Sequence, residues 1–179
     1  SQLFMWFAVY SSGLVRYDGQ SMEIYSSDDG LPGDGVFNIV EDKQGFLWVS
    51  TDTGLAVSEQ RLRDYGPGQR VRFVQKIGGT TRVQQMVAEN TLFTDPEGGV
   101  WMGTIDSIIG YRWEPDGTLR EIKHSLNKIT HQKSTAITSL ILDHRRTLWA
   151  SLGEVDFLRM NVDGTEVRFW EGKNEAAGI

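Results

Sequence analysis

The chain has 179 residues, 18 basic and 24 acidic side chains, a formal net charge of −6 and no cysteine. The acidic balance excludes nonspecific nucleic-acid binding, which needs a basic footprint. The lack of cysteine excludes disulfides, thiolate catalysis and cysteine-ligated zinc. No apolar run approaches the roughly 20 residues of a membrane-spanning helix.

The elements follow in chain order. The opening Leu3-Phe4-Met5-Trp6-Phe7-Ala8-Val9 reads as a strand around Trp6. It has no initiator Met and no leader pattern before it, so the expectation is that something upstream was removed. Tyr17-Asp18-Gly19 is a hairpin signal, since Gly takes positive φ without strain. Residues 36–40 and 46–49 are short, apolar and β-prone, and Asp42-Lys43-Gln44-Gly45 is the turn between them. Residues 54–57 make a third strand. Residues 71–76 alternate apolar and polar, as a half-buried outer strand should. The Asp-Gly hairpin signal returns at Asp116-Gly117 and at Asp163-Gly164. Residues 127–136 hold a helical turn at most.

A repeat runs through these elements. Asp42, Gly45, Trp48 and Thr51 recur at the same offsets as Asp95, Gly98, Trp101 and Thr104. A weaker copy keeps Asp143 and Trp149 but has Arg146 in place of the Gly and Leu152 in place of the Thr. The run around Trp6 is a fourth copy. The spacings between Trp6, Trp48, Trp101 and Trp149 are 42, 53 and 48 residues. That is the period of one propeller blade. The expected fold is therefore all-β: four-stranded antiparallel blades, about 3.75 of them, in a partial β-propeller. The expected units are residues 1–27, 28–76, 77–124 and 125–170.

With these motifs in place, the chain resembles the two-component regulator propeller repeat family. Gly30-Leu31-Pro32, Val36, Ile39, Asp42, Gly45, Leu47-Trp48-Val49, Thr51 and Gly54-Leu55 follow that repeat in order. Gly13-Leu14-Val15-Arg16-Tyr17-Asp18-Gly19 resembles the end of the preceding repeat. The resemblance implies a seven-bladed propeller in the periplasmic sensory part of a hybrid histidine kinase or related receptor. It also implies ligands such as oligosaccharides released from polysaccharides. Kinase or cyclase activity would lie outside this chain.

Within that frame the four tryptophans are expected to pack between blades, and Asp42, Asp95 and Asp143 to cap the inner turns. Trp113 and Trp170 fall beside the outer hairpins, where they would shield the rim. Asp28-Asp29-Gly30 with Asp34 lacks the spacing of a calcium loop and reads as a solvated turn. The stretch 122–142 has no acidic residue before Leu142 and carries Lys123, His124, Lys128, His131 and Lys133. It is expected to join two blades on the face shared with the hairpins at Tyr10, Asp52, Asp106 and Glu154. Cations and imidazoles there suit a carboxylate or sulfate of a sugar acid. No metal site, cofactor or catalytic group is expected. Phosphate-loop, nucleophile-elbow and zinc-protease motifs are absent from the sequence. Two further readings compete with the sensor. One is a protein-interaction or assembly propeller, because an open arc leaves two blade faces to be covered by self-association or by further blades. The other is a propeller lyase resembling streptogramin lyases. His124, His131 and His144 are the only histidines available to it.

Overall fold

A computed structural model describes residues 4–10, 12–66, 68–77, 91–130, 136–153 and 156–170. These form four antiparallel sheets in sequence order. Blade 1 contains β1 (Met5–Val9), β2 (Gly13–Tyr17) and β3 (Met22–Tyr25). Blade 2 contains β4 (Val36–Glu41), β5 (Leu47–Thr51), β6 (Gly54–Ser58) and β7 (Phe73–Ile77). Blade 3 contains β8 (Phe93–Thr94), β9 (Val100–Gly103), β10 (Ser107–Trp113) and β11 (Leu119–Ser125). A single helical turn, α1 (Leu126–Thr130), leads into blade 4: β12 (Ile137–Leu142), β13 (Thr147–Leu152), β14 (Asp156–Asn161) and β15 (Arg168–Trp170). Each strand pairs with its sequence neighbour, so every sheet is an up-and-down meander. This is a partial β-propeller. Register aligns β1 with β5, β9 and β13, so the described part of blade 1 has no innermost strand.

The packing follows from strand alternation, which sends successive side chains to opposite faces. Leu47 and Val49 of β5 face blade 1 and join Leu14, Tyr25, Leu31 and Phe73. Trp48, between them, faces blade 3 and joins Val100, Met102, Ile109 and Tyr111. Trp101 in turn faces blade 4 and joins Leu140, Leu148, Leu158 and Met160. Three apolar seams therefore hold the four blades. Strands β5 and β6 are buried along their whole length because both faces are covered. Each fully buried Leu or Val in a seam contributes about 1.5–3 kcal/mol.

The turn chemistry read from the sequence is visible in the backbone. Gly45 and Gly98 both sit at φ 91° in the turns between innermost and second strands. Arg146 takes the same place in blade 4 at φ 63°, in the left-handed region that disfavours a side chain. The Asp-Gly hairpins place Gly19, Gly117 and Gly164 at φ 96°, 82° and 85°.

Two sequence expectations shift. The outer strand expected from residue 71 begins at Phe73; Val71 is buried ahead of it, and the Arg72 carbonyl still accepts from the Glu59 N–H at 2.8 Å. The basic stretch is not one connecting loop. Lys123 and His124 belong to β11, which runs on to pair Ser125 with Ser107. Its inward residues explain this: Ile122 packs into the seam with blade 4, and the His124 ring lies parallel to Trp101.

Candidate functional site

Because every blade is a meander, loops segregate to two ends. One end carries the turns from innermost to second strand and the outer hairpins. The other carries the hairpins at Tyr10, Asp52 and Asp106 and the connections between blades.

The first end is built on a repeated latch. In blade 2 one oxygen of Asp42 accepts the backbone N–H groups of Gln44 and Phe46, both at 3.0 Å. Its other oxygen accepts the indole N–H of Trp48 at 2.8 Å. In blade 3 Asp95 does the same with Glu97, Gly99 and Trp101, and in blade 4 Asp143 does so with Arg145, Thr147 and Trp149. Two latches receive a further donor. The Trp113 indole N–H reaches back from blade 3 to Asp42 at 2.9 Å, and Arg112 reaches Asp95 at 2.7 Å. Burial alone would raise the Asp95 pKa, but the Trp101 indole, the Gly99 amide and the Arg112 cation together hold it below the ordinary carboxylate value. The latched tryptophans differ in what covers them. Trp48 and Trp101 are 0% and 1% exposed, whereas Trp149 is 38% exposed, since no described sheet follows blade 4. Trp6 is half-buried beside Tyr25, with Arg16 over its ring. Between blades 2 and 3 the latch end opens into a cleft of about 370 Å³ lined by Gln44, Phe46, Arg61 and Trp113 among others.

The second end gathers several of the sequence-selected residues at blades 1 and 2. The Tyr10 ring stacks on Phe37 at 5.4 Å and stays largely exposed. The Gly33-Asp34-Gly35 turn beside it is tied on both sides: Gly13 N–H donates to the Asp34 carbonyl and Asp52 N–H to the Gly35 carbonyl. Thr53 donates its hydroxyl to the Pro32 carbonyl at 2.6 Å. The Asp52 side chain lies in the hollow left by Gly33 and Gly35. A Cβ on Gly33 would stand 2.3 Å from Asp52 Oδ1. That oxygen is buried and has no hydrogen-bond partner. A buried acceptor left unpaired costs about 1–3 kcal/mol, so a donor is wanted there.

At blade 3 the same end is differently made. Asp106 uses its carboxylate on the Ser107 and Thr104 hydroxyls, at 2.7 and 3.3 Å. Its carbonyl accepts the Leu126 N–H that starts α1, which brings the exposed Lys128 onto the same end. Lys123 is exposed on β11. His124 lies in the seam with blade 4. Its ring nitrogen is 3.1 Å from the Val162 carbonyl, and its ring fills the space over Gly164. His131, Lys133 and Glu154 lie outside the described residues.

Sequence reasoning placed the turn-capping half of the latch and missed its indole half and the Asp52 hollow. A constant Asp-to-Trp offset of six residues in all three copies was the available signal for the latch. Two glycines flanking an Asp in the Gly-Asp-Gly turn were the signal for the hollow.

The geometry defines a class: a meander-bladed β-propeller whose blades are closed by Asp–Trp latches. The family model for the two-component regulator propeller matches residues 30–53, within blade 2. No curated protein matches the chain. Among solved structures it is similar to the extracellular domain of a putative one-component system from B. thetaiotaomicron, at 21% identity and TM-score 0.67, over 95% of this chain and 21% of that one. It is also similar to the extracellular domain of a putative hybrid two-component system from the same organism, at 18% identity and TM-score 0.60, over 96% of this chain and 20% of that one. A streptogramin B lyase matches at 14% identity and TM-score 0.62, over 97% of this chain and 53% of that one. The chain thus spans about a fifth of the length of the two extracellular domains. Among the described residues no helix is long and apolar enough to cross a membrane.

Proposed function

We propose that the chain is part of an extracytoplasmic sensory propeller of a bacterial signal-transduction receptor, and that its ligand is an oligosaccharide. The observation that carries the ligand class is the exposed Tyr10 ring, stacked on Phe37 at the end of the blades that also carries Asp52. The half-exposed Asp52 carboxylate suits a sugar hydroxyl, and an exposed aromatic ring suits the apolar face of a pyranose. Lys128 on the same end would favour an acidic sugar. The sensory and extracytoplasmic parts rest on the repeat family and on the likeness to extracellular domains of regulators. This reading is non-enzymatic. The likeness to a lyase supports the fold alone, since propellers host many activities.

The test is calorimetric titration with a panel of neutral and acidic oligosaccharides. Binding by at least one member is expected, with Asp52→Asn and Tyr10→Ala weakening it while the melting temperature holds. Lys128→Glu is expected to weaken acidic members alone. A panel without heat, or binding that both variants leave unchanged, sinks the proposal.

A further inference from the structure

The cleft at the latch end lies between blades 2 and 3, and both of its walls belong to this chain. The blade 3 wall is the outer hairpin, with Trp113, Glu114 and Pro115. The blade 2 wall combines Gln44 and Phe46, from the turn that Asp42 caps, with Arg61, from the segment after β6. Both walls are tied down. The hairpin is closed by the Glu114 N–H on the Thr118 carbonyl at 2.8 Å and the Gly117 N–H on the Glu114 carbonyl at 2.9 Å. The Leu62 N–H fixes the Arg61 segment to the Gly45 carbonyl at 2.7 Å. Trp113 joins the walls, because its ring stacks on Phe46 at 4.5 Å and its indole N–H is held by Asp42.

The polar groups left without partners in this cleft are donors. Arg61 is half-buried, yet its guanidinium has no hydrogen bond or ion pair among the described residues. The other described arginines buried to that degree or more, Arg16, Arg112 and Arg159, each face a carboxylate. Gln44 contributes a carboxamide whose oxygen is buried and whose N–H2 group has no partner among the described residues. The acceptor in the cleft, Glu114, is already taken by Arg120. Glu41, across Gly45 from Arg61, stays outside ion-pair distance. Unmet donors select an anion, and a planar guanidinium beside a planar amide suits the two oxygens of a carboxylate. The stacked rings of Phe46 and Trp113, with Pro115 beside them, suit a flat apolar body. A volume of about 370 Å³ stands at the small end of ligand pockets, about 300–1,000 Å³, and leaves no room for a long chain.

We propose that this cleft is a second ligand site, which takes a small aromatic carboxylate, its charged group on Arg61 and its ring against Trp113 and Phe46. The site stands at the opposite end of the blades from Tyr10 and does not rest on the oligosaccharide reading. Its walls come from different blades, so an occupant ties blade 2 to blade 3 where Trp113 already bridges them.

Calorimetric titration of the 179-residue chain tests this with benzoate and indole-3-acetate, each beside its uncharged amide. At least one acid is expected to bind, and its amide at least about tenfold more weakly. Arg61→Ala is expected to abolish that preference while the melting temperature holds, since the side chain gives up no partner. Tyr10→Ala is expected to change nothing. The indole N–H resonance of Trp113, assigned with Trp113→Phe, is expected to shift on addition of the acid. No heat from either acid at millimolar concentration overturns the proposal. So does binding that Arg61→Ala leaves intact, or binding that leaves the Trp113 resonance in place.

Discussion

Trp113 and Asp42 are separated by 71 residues in the chain and by 2.9 Å between indole nitrogen and carboxylate oxygen. The bond makes one side chain serve two blades, since the same oxygen of Asp42 already holds Trp48. The Trp113 ring also stacks on Phe46, in the turn that Asp42 caps, at 4.5 Å. Removing the carboxylate strands four donors at once, three of them within its own blade. Asp42→Ala is expected to cost about 2–4 kcal/mol. Asp143→Ala removes the same latch where Trp149 is exposed to water, and is expected to cost under about 1 kcal/mol. Urea unfolding of both variants checks the ratio. Equal losses would mean that the latch acts through turn geometry alone and that the seam adds nothing.

Arg146 offers a stabilising change. It occupies the turn position that Gly45 and Gly98 fill elsewhere, at φ 63°. Its side chain reaches Glu97 at 3.5 Å, but both groups are half-exposed, so that pair is worth little. Arg146→Gly is expected to gain about 0.5–1 kcal/mol by relieving the left-handed strain, less the entropy that glycine brings to the unfolded chain. A rise of a few degrees in melting temperature supports this. A fall would show that the Glu97 contact outweighs the strain.

Acid should weaken the seam between blades 3 and 4 through Asp95. Its folded-state pKa lies below the ordinary value near 3.9, so in that window the native state binds fewer protons than the unfolded chain. The stabilisation is present above about pH 4 and is lost as pH falls through the folded-state pKa. Unfolding free energies at neutral pH and at two or three points below about pH 5 should decline. Asp95→Asn should decline less steeply, because that group no longer titrates. An unchanged slope would assign the acid sensitivity to the other carboxylates with lowered pKa, among them Asp143 and Asp29, the latter held down against burial by Arg70 and the Ser26 amide.

Much of the fold was legible because a blade is a local object. The Asp-x-x-Gly turns and the Asp-Gly hairpins act within a few residues, and the strands read at residues 3–9, 36–40, 46–49, 54–57 and 71–76 lie near their places. Alternation even assigns Trp48 and its neighbours Leu47 and Val49 to opposite seams. The site was less legible because its chemistry is set between blades. Nothing around His124 marks it as a seam residue until β14 brings the Val162 carbonyl alongside. Asp52 and Asp106 lie in equivalent hairpins one position apart, Asp52 directly after Thr51 and Asp106 two residues after Thr104. Their difference comes from the partners, Gly33 and Gly35 for one and Ser107 with Thr104 for the other. The tryptophans likewise look alike in sequence, and what separates Trp101 from Trp149 among the described residues is the sheet packed against Trp101.

Seams that join only adjacent blades make the molecule's thermodynamics one-dimensional. Among the described residues, blades 2 and 3 are packed on both faces and blades 1 and 4 on one. In the 179-residue chain, amide protons of β5 and β9, packed on both faces, are expected to outlast those of β1 and β13 in exchange with solvent. A change of sequence in one blade reaches a distant blade only by way of the seams between them. Length can then be gained or lost a whole blade at a time, with each addition costing only the making of one more seam.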